Sequence, residues 1–334
     1  MNMELQTKKQ MNIFKKIWLG GISVVFLLLA LGVVYESISS YIGVKNSPPP
    51  GQLVDVGDFK LHIHKQGTGS PTIILESASG SASNVWHDIP NELATFATVV
   101  TYDRGGYGWS EKASSDRTGV NIAKELYSAL KKEDIEGPYI LVGHSLGGMY
   151  SRLFAKLYSD EVEGVVLIDS RHEGYSEKTN PLLLEAGFNP VLSGYPPKHI
   201  LNLLKQTGII RILNIGNPDT ETSVNIEMRP KFFDAREDEL RNLAATEAAL
   251  SDQSLGQIPL RVLTHGKPID FVSFGLTEEQ SRFMEDVWQQ QQEQSLQLSS
   301  NSQLIVAKSS GHFIIHDQPE LVINTIKNLV NEIR

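Results

Sequence analysis

The chain has 334 residues, enough for one large core with an insertion or for two small domains. It carries a formal net charge of −9 with no long basic run in its body, which argues against a nucleic-acid partner. It holds no cysteine, so disulfides, thiolate metal sites and a cysteine nucleophile are excluded together.

The N-terminus differs from everything after it. Lys8, Lys9, Lys15 and Lys16 make residues 1–16 a basic segment, and Ile17 to Tyr35 contain no charge. At about 1.5 Å per residue that run reaches about 28 Å, close to the ~30 Å hydrocarbon core of a bilayer. Trp18 and Tyr35 stand at its two ends, where interfacial aromatics belong. The run reads as an uncleaved, single-pass signal anchor over residues 17–35. The lysines place the N-terminus in the cytoplasm and the body on the extracytoplasmic side of the cell membrane. The alternative is a signal peptide cleaved at the small-residue site Ala30-Leu31-Gly32, which would give a secreted body. Residues 36–51, ending in Pro48-Pro49-Pro50-Gly51, read as a linker.

Leu53 to Val56 and Lys60 to His64 predict an antiparallel pair around Gly57-Asp58. A strand at Thr72 to Leu75, a helix over Asn84 to Ala94 and a strand over Ala97 to Tyr102 follow. Val120 to Lys132 has Ile122, Leu126 and Leu130 on one helical face. Tyr139 to Val142 is strand-like, Met149 to Leu157 helix-like, and Val165 to Asp169 strand-like again. Leu260 to Leu263 and Leu304 to Ala307 are the last strands, and a final amphipathic helix ends the chain. Strands alternating with helices imply an α/β fold with a doubly wound, mostly parallel sheet. About 88 residues separate Asp169 from Ile258, far more than one crossover needs. Their apolar residues, Leu182, Leu183, Leu184, Phe188, Ile200, Leu201, Leu204, Ile209, Ile210, Ile212 and Leu213, predict a helical cap core with a few side chains facing a pocket. The helix expected over Glu278 to Gln297 carries Gln289 to Gln292, read as a solvated face.

Between one strand and its helix lies Gly143-His144-Ser145-Leu146-Gly147. Gly-x-Ser-x-Gly is the spacing of a sharp strand-to-helix turn. Glycines two residues either side of a strained serine relieve crowding, and the hydroxyl is lifted to the positive end of the next helix. The Leu146 amide would then point at a forming oxyanion. Two further stretches join this one: Asp103-Arg104-Gly105-Gly106-Tyr107-Gly108-Trp109-Ser110, and SSGHFIIHDQPELVINTI around His312.

Together these residues resemble the α/β-hydrolase superfamily over residues 52–334, with the helical cap at about 173–255. The resemblance implies a serine hydrolase in which Ser145 is the nucleophile and His312 its base. The third member is open. Asp270, four residues beyond Gly266, is the first choice and is offset by one from the superfamily's usual spacing. Asp169, at the end of the sixth strand, is the alternative, and Glu173 and Asp317 remain behind both. The oxyanion hole would take the amides of Leu146 and Ala78, in a loop where Glu76 replaces the customary histidine. Asp103 is expected to bind loop amides, and His144 to pack. His172, His265 and His316 are placed near the site. No cofactor is implied. His62 and His64 share a strand face without a third ligand, so no metal is expected.

Ester cleavage of an apolar acyl substrate is the function so implied, with a membrane held through the N-terminal helix. A proline-iminopeptidase-like aminopeptidase is the alternative and would need a carboxylate cluster for a free amine. Glu237, Asp238 and Glu239 offer charges, but a solvated helix face is the simpler reading. A non-catalytic binding protein is the rival from another class.

Overall fold

A computed structural model of the chain describes residues 2–189, 197–214 and 223–334. It divides into two compact units: Met1–Pro48 with Pro197–Arg229, and Pro49–Pro196 with Pro230–Arg334.

The larger unit is built on an eight-stranded sheet in the order β1-β2-β4-β3-β5-β6-β7-β8. The strands are β1 (Gln52–Asp55), β2 (Lys60–Gln66), β3 (Thr72–Glu76), β4 (Thr98–Asp103), β5 (Tyr139–His144), β6 (Val162–Ile168), β7 (Leu260–His265) and β8 (Ser302–Ala307). β1 and β2 form the expected antiparallel hairpin, β2 runs antiparallel to β4, and the remaining pairs are parallel. β3, β5 and β7 are buried along their whole length because helices cover both sheet faces. On one face, α3 (Gly119–Lys132) and α4 (Leu146–Leu157) pack Ile122, Leu126, Leu153 and Phe154 against Leu141 and Val165. On the other, Val322, Ile326 and Leu329 meet Ile140, Val142 and Val166.

Helix α2 is shorter than its sequence suggests. Ser83–Trp86 forms one tight turn, His87 takes φ 46°, and only Ile89–Leu93 is helical, with Pro90 in its first turn. The later helices of this unit are α5 (Tyr175–Glu185), α8 (Pro230–Arg241), α9 (Leu243–Ala249), α10 (Glu278–Gln294), α11 (Ile314–Asp317) and α12 (Pro319–Ile333).

The smaller unit holds α1 (Asn2–Asn46), α6 (Lys198–Gln206), α7 (Ile209–Leu213) and a π-helical turn at Ser223–Glu227. The 36–51 linker is therefore corrected: α1 continues unbroken to Asn46 and only 47–51 remain as a connection. Within α1, Ile13–Asn46 is long and apolar enough to cross a membrane, with mean hydropathy 2.6 in its most apolar window. The insertion at 173–255 is divided between the units, and its apolar residues do not all form a core. Ile210 is buried, whereas Leu184, Ile200, Ile212 and Leu213 are exposed.

Candidate active site

β3, β5, β6 and β7 all end at the same edge of the sheet, and their last residues or the loops after them build the site. At the end of β5, Ser145 takes φ 55° and ψ −121°, a strained turn that α4 follows at once. The glycines are explained by their surroundings. A Cβ on Gly143 would lie 2.5 Å from the Gly147 carbonyl oxygen, and one on Gly147 would lie 2.5 Å from that of Glu76. Gly148 is just as constrained, since a Cβ there would meet Ser170 Oγ at 1.9 Å.

His312, in the loop after β8, faces Ser145 with Nε2 3.0 Å from Oγ. Its other ring nitrogen, Nδ1, lies 2.6 Å from Asp169 Oδ2. The acid paired with the histidine is thus Asp169, the alternative, and the first choice, Asp270, is corrected. Asp270 sits in the exposed loop after β7, where its carboxylate accepts from the amides of Val272 and Ser273 and caps a short turn. Glu173 is bound by Arg152, and Asp317 accepts from Ser310 and Gly311, so neither serves His312.

Asp169 is fully buried and takes φ 42°. Burial alone would raise its pKa, but hydrogen bonds from His265 and His312 hold it well below the usual carboxylate range. His265 Nδ1 approaches Asp169 Oδ2 at 2.7 Å, and Trp288 Nε1 donates to Oδ1 at 3.2 Å. The other nitrogen of His265 lies 2.8 Å from Glu285 Oε1. Burial disfavours a charged ring there, yet the bonds to Asp169 and Glu285 push His265 up to about 9. Clamped between two carboxylates, the His265 ring is stabilised in its protonated form. The sequence placed His265 near the site; Glu285 and Trp288, both on α10, carry no local signal that could have assigned them. Gln291 and Gln292 of the same helix are buried, and Gln292 donates to the Ser170 carbonyl at 2.7 Å, which corrects the solvated-face reading.

His144 is fully buried, and Nε2 contacts the His312 carbonyl at 2.9 Å, so it supports the backbone of His312. Burial beside His312 lowers its pKa to about 3, which keeps the ring neutral. Of the other histidines, His172 binds the Gly174 amide and His316 contacts the Val85 carbonyl. His62 pairs with Asp103 at 2.8 Å. Asp103 accepts from the Ser83 and Trp109 amides, as expected.

The loop after β3 lies against the elbow, and Arg104 fixes it from behind. Arg104 donates to the carbonyls of Ser77 (2.8 Å) and Ala78 (2.9 Å), to Glu76 Oε1 (2.7 Å) and to Glu239 Oε1 (2.8 Å). Glu76 also accepts from Tyr102, and burial pushes it up to about 7 against the pull of Arg104. This gives Glu76 its role: it holds Arg104, which orients the Glu76–Ala78 backbone. Glu239 is 1% exposed and accepts from Tyr107 at 2.7 Å, so it belongs to a closed network and not to a solvated face.

A cavity of about 640 Å³ opens above Ser145, Leu146 and His312. Its wall is mostly apolar, with Leu183, Phe188, Phe271, Met284 and Trp288 among its side chains. Its charged lining is Arg171, Arg241 and Glu247; Arg171 is paired with Glu247, and Arg241 with Glu237.

A sequence model described as alpha/beta hydrolase fold matches residues 71–207. An uncharacterized protein of Bacillus subtilis, YqjL, is 26% identical over 260 residues, covering 78% of this chain and 83% of the relative. Among solved structures, a mutant of a putative epoxide hydrolase from Pseudomonas aeruginosa superposes with TM-score 0.66 at 17% identity, over 85% of this chain and 96% of that one. A thermophilic esterase from Thermogutta terrifontis does so with TM-score 0.55 at 19% identity, over 82% and 94%. Its sheet order, its elbow and these superpositions give the chain the alpha/beta hydrolase fold, and the sequence model places residues 71–207 within it.

Proposed function

We propose that the protein is a serine esterase that forms an acyl-enzyme on Ser145. His312 takes the hydroxyl proton as Ser145 attacks the carbonyl carbon and returns it to the leaving alcohol. Asp169 holds the imidazole in the tautomer with Nδ1 protonated and balances its charge. The amides of Leu146 and Ala78 bind the tetrahedral oxyanion, the first at the positive end of α4. Water then repeats the sequence in reverse and frees the acid.

The observation that carries this reading is the chain of contacts from Ser145 Oγ through His312 to Asp169 at the floor of an apolar cavity. An apolar wall favours an apolar acyl group. The serine at the elbow supports an acyl-enzyme over the aspartyl ester of epoxide hydrolases. The aminopeptidase reading is weakened because Glu239, the buried acid of its candidate cluster, is engaged by Arg104 and Tyr107. The apolar run of α1 serves as a membrane tether, with the lysines inside and the esterase body outside.

A panel of p-nitrophenyl esters of rising acyl length, run beside aminoacyl amides, tests the proposal. Esters of medium or long chain should be cleaved fastest, and Ser145→Ala should abolish their turnover. Faster cleavage of aminoacyl amides would overturn it.

A further inference from the structure

The smaller unit buries a cluster of charges and leaves an apolar face exposed. Glu36 on α1, Lys205 on α6 and Arg211 on α7 are each less than 5% exposed. Arg211 Nε donates to Glu36 Oε2 at 2.8 Å, Lys205 also donates to Glu36, and Ser40 Oγ donates to Glu36 Oε1 at 2.6 Å. Ile210, Val224 and Ile226 are buried with them, but one face of large apolar side chains is outside. Leu203 is 58% exposed, Ile212 54% and Leu213 77%, and Ile200 is exposed as well. In water this arrangement loses twice, since the buried ions give up their hydration and the exposed leucines and isoleucines give up burial. Against lipid the second cost disappears.

The placement along α1 points the same way. Gly32 lets the backbone at the end of α6 approach closely, since a Cβ there would lie 2.3 Å from the Thr207 carbonyl oxygen, and Gly43 makes room for the Asn225 side chain of the π-helical turn. With Glu36 bound by Lys205 and Arg211, the α6–α7 pair is fastened along the last turn of the uncharged run and just beyond it, the level at which a spanning helix leaves the hydrocarbon. Glu36, the first charge after Ile17–Tyr35, faces the pair, while Tyr35, Ile38 and Tyr41 face outward with it.

We infer that α6 and α7 form a membrane-surface element whose outer apolar face, Ile200, Leu203, Ile212 and Leu213, is covered by the lipid of the bilayer that α1 crosses. The inference rests on the tether reading and deepens it: the middle of the insertion lies in the interface as an amphipathic pair, docked on the tether by a desolvated charge cluster.

The absence of native cysteine makes the test direct. Full-length Leu203→Cys, Leu213→Cys, Val25→Cys and Glu320→Cys variants would each be labelled with an environment-sensitive fluorophore and reconstituted into phosphatidylcholine vesicles containing spin-labelled lipid. At least twofold quenching is expected at Leu203 and Leu213 and at Val25 within the span, with little at Glu320 on α12. Quenching at Val25 with Leu203 and Leu213 behaving like Glu320 would overturn the inference and leave the tether standing. So would disulfide-linked dimers of the unlabelled Leu213→Cys variant formed in the same vesicles under oxidation, because a second copy would then cover the face. No quenching at Val25 would overturn the tether reading and the inference with it.

Discussion

Two buried acidic centres flank the elbow, and they differ in what they leave accessible. Around Asp169, two histidines converge on one carboxylate, and one of them, His312, reaches the cavity. Around Arg104, two glutamates and two tyrosines close on one guanidinium, and none of these side chains lines the cavity. Both centres are dry and charged. The difference is that the first passes its charge to a group facing the cavity, whereas the second directs it to two backbone carbonyls. Burial and charge alone therefore do not mark the reacting group. The Arg104 network is scaffolding for the loop that holds Ala78, and the Asp169 network is part of the proposed chemistry.

That contrast can be broken from either side. The largest effect is expected from Asp169→Asn, which keeps the shape and removes the charge behind His312. Ester turnover should fall by about 10³–10⁴-fold with the fold retained by circular dichroism. Arg104→Met should act on stability first. It strands Glu76 and Glu239 in a dry interior, at a cost of about 3–5 kcal/mol, so thermal unfolding should show a Tm lower by about 10 °C. Adding Glu239→Leu should recover part of that loss, which a catalytic role for Arg104 would not predict.

A smaller effect concerns His265. Its pKa is raised on folding, so its contribution to stability is complete below about pH 6.5 and is lost as pH rises through about 9. Urea titrations should show the wild type losing about 1–2 kcal/mol across that window, and His265→Gln should flatten the profile. Asp169 has the opposite sign: its contribution holds above about pH 4 and is lost as pH falls below. The smallest effect is expected from Asp270→Asn, which should leave ester turnover within twofold of wild type, since its carboxylate serves only the turn after it.

The elbow was legible because its determinants are local. Gly143 answers to the backbone of Gly147 and Gly148 within five residues, the Gly-x-Ser-x-Gly spacing is itself local although Gly147 also makes room for Glu76, and His312 follows the last strand in a recognisable stretch. The sheet was legible for the same reason, through short apolar runs punctuated by turns. Asp169 and Asp270 could not be ranked correctly, because which carboxylate meets His312 depends on the loops after β6 and β8, 143 residues apart in sequence. Glu239 and Gln292 look like surface residues by type, and only tertiary partners, Arg104 and the Ser170 carbonyl, turn them inward. The cap's leucines and isoleucines misled in the other direction. A periodic apolar face signals burial against something, and the sequence does not say whether protein or another apolar phase supplies it.

The most direct measurement is labelling of the purified full-length protein with a fluorophosphonate probe, which reacts rapidly with a serine whose proton is being removed. Wild type should label, Ser145→Ala and His312→Ala should not, Asp169→Asn should label far more slowly, and Asp270→Asn should match wild type. A folded wild type that fails to label, or labelling that survives Asp169→Asn but is lost with Asp270→Asn, would contradict the account.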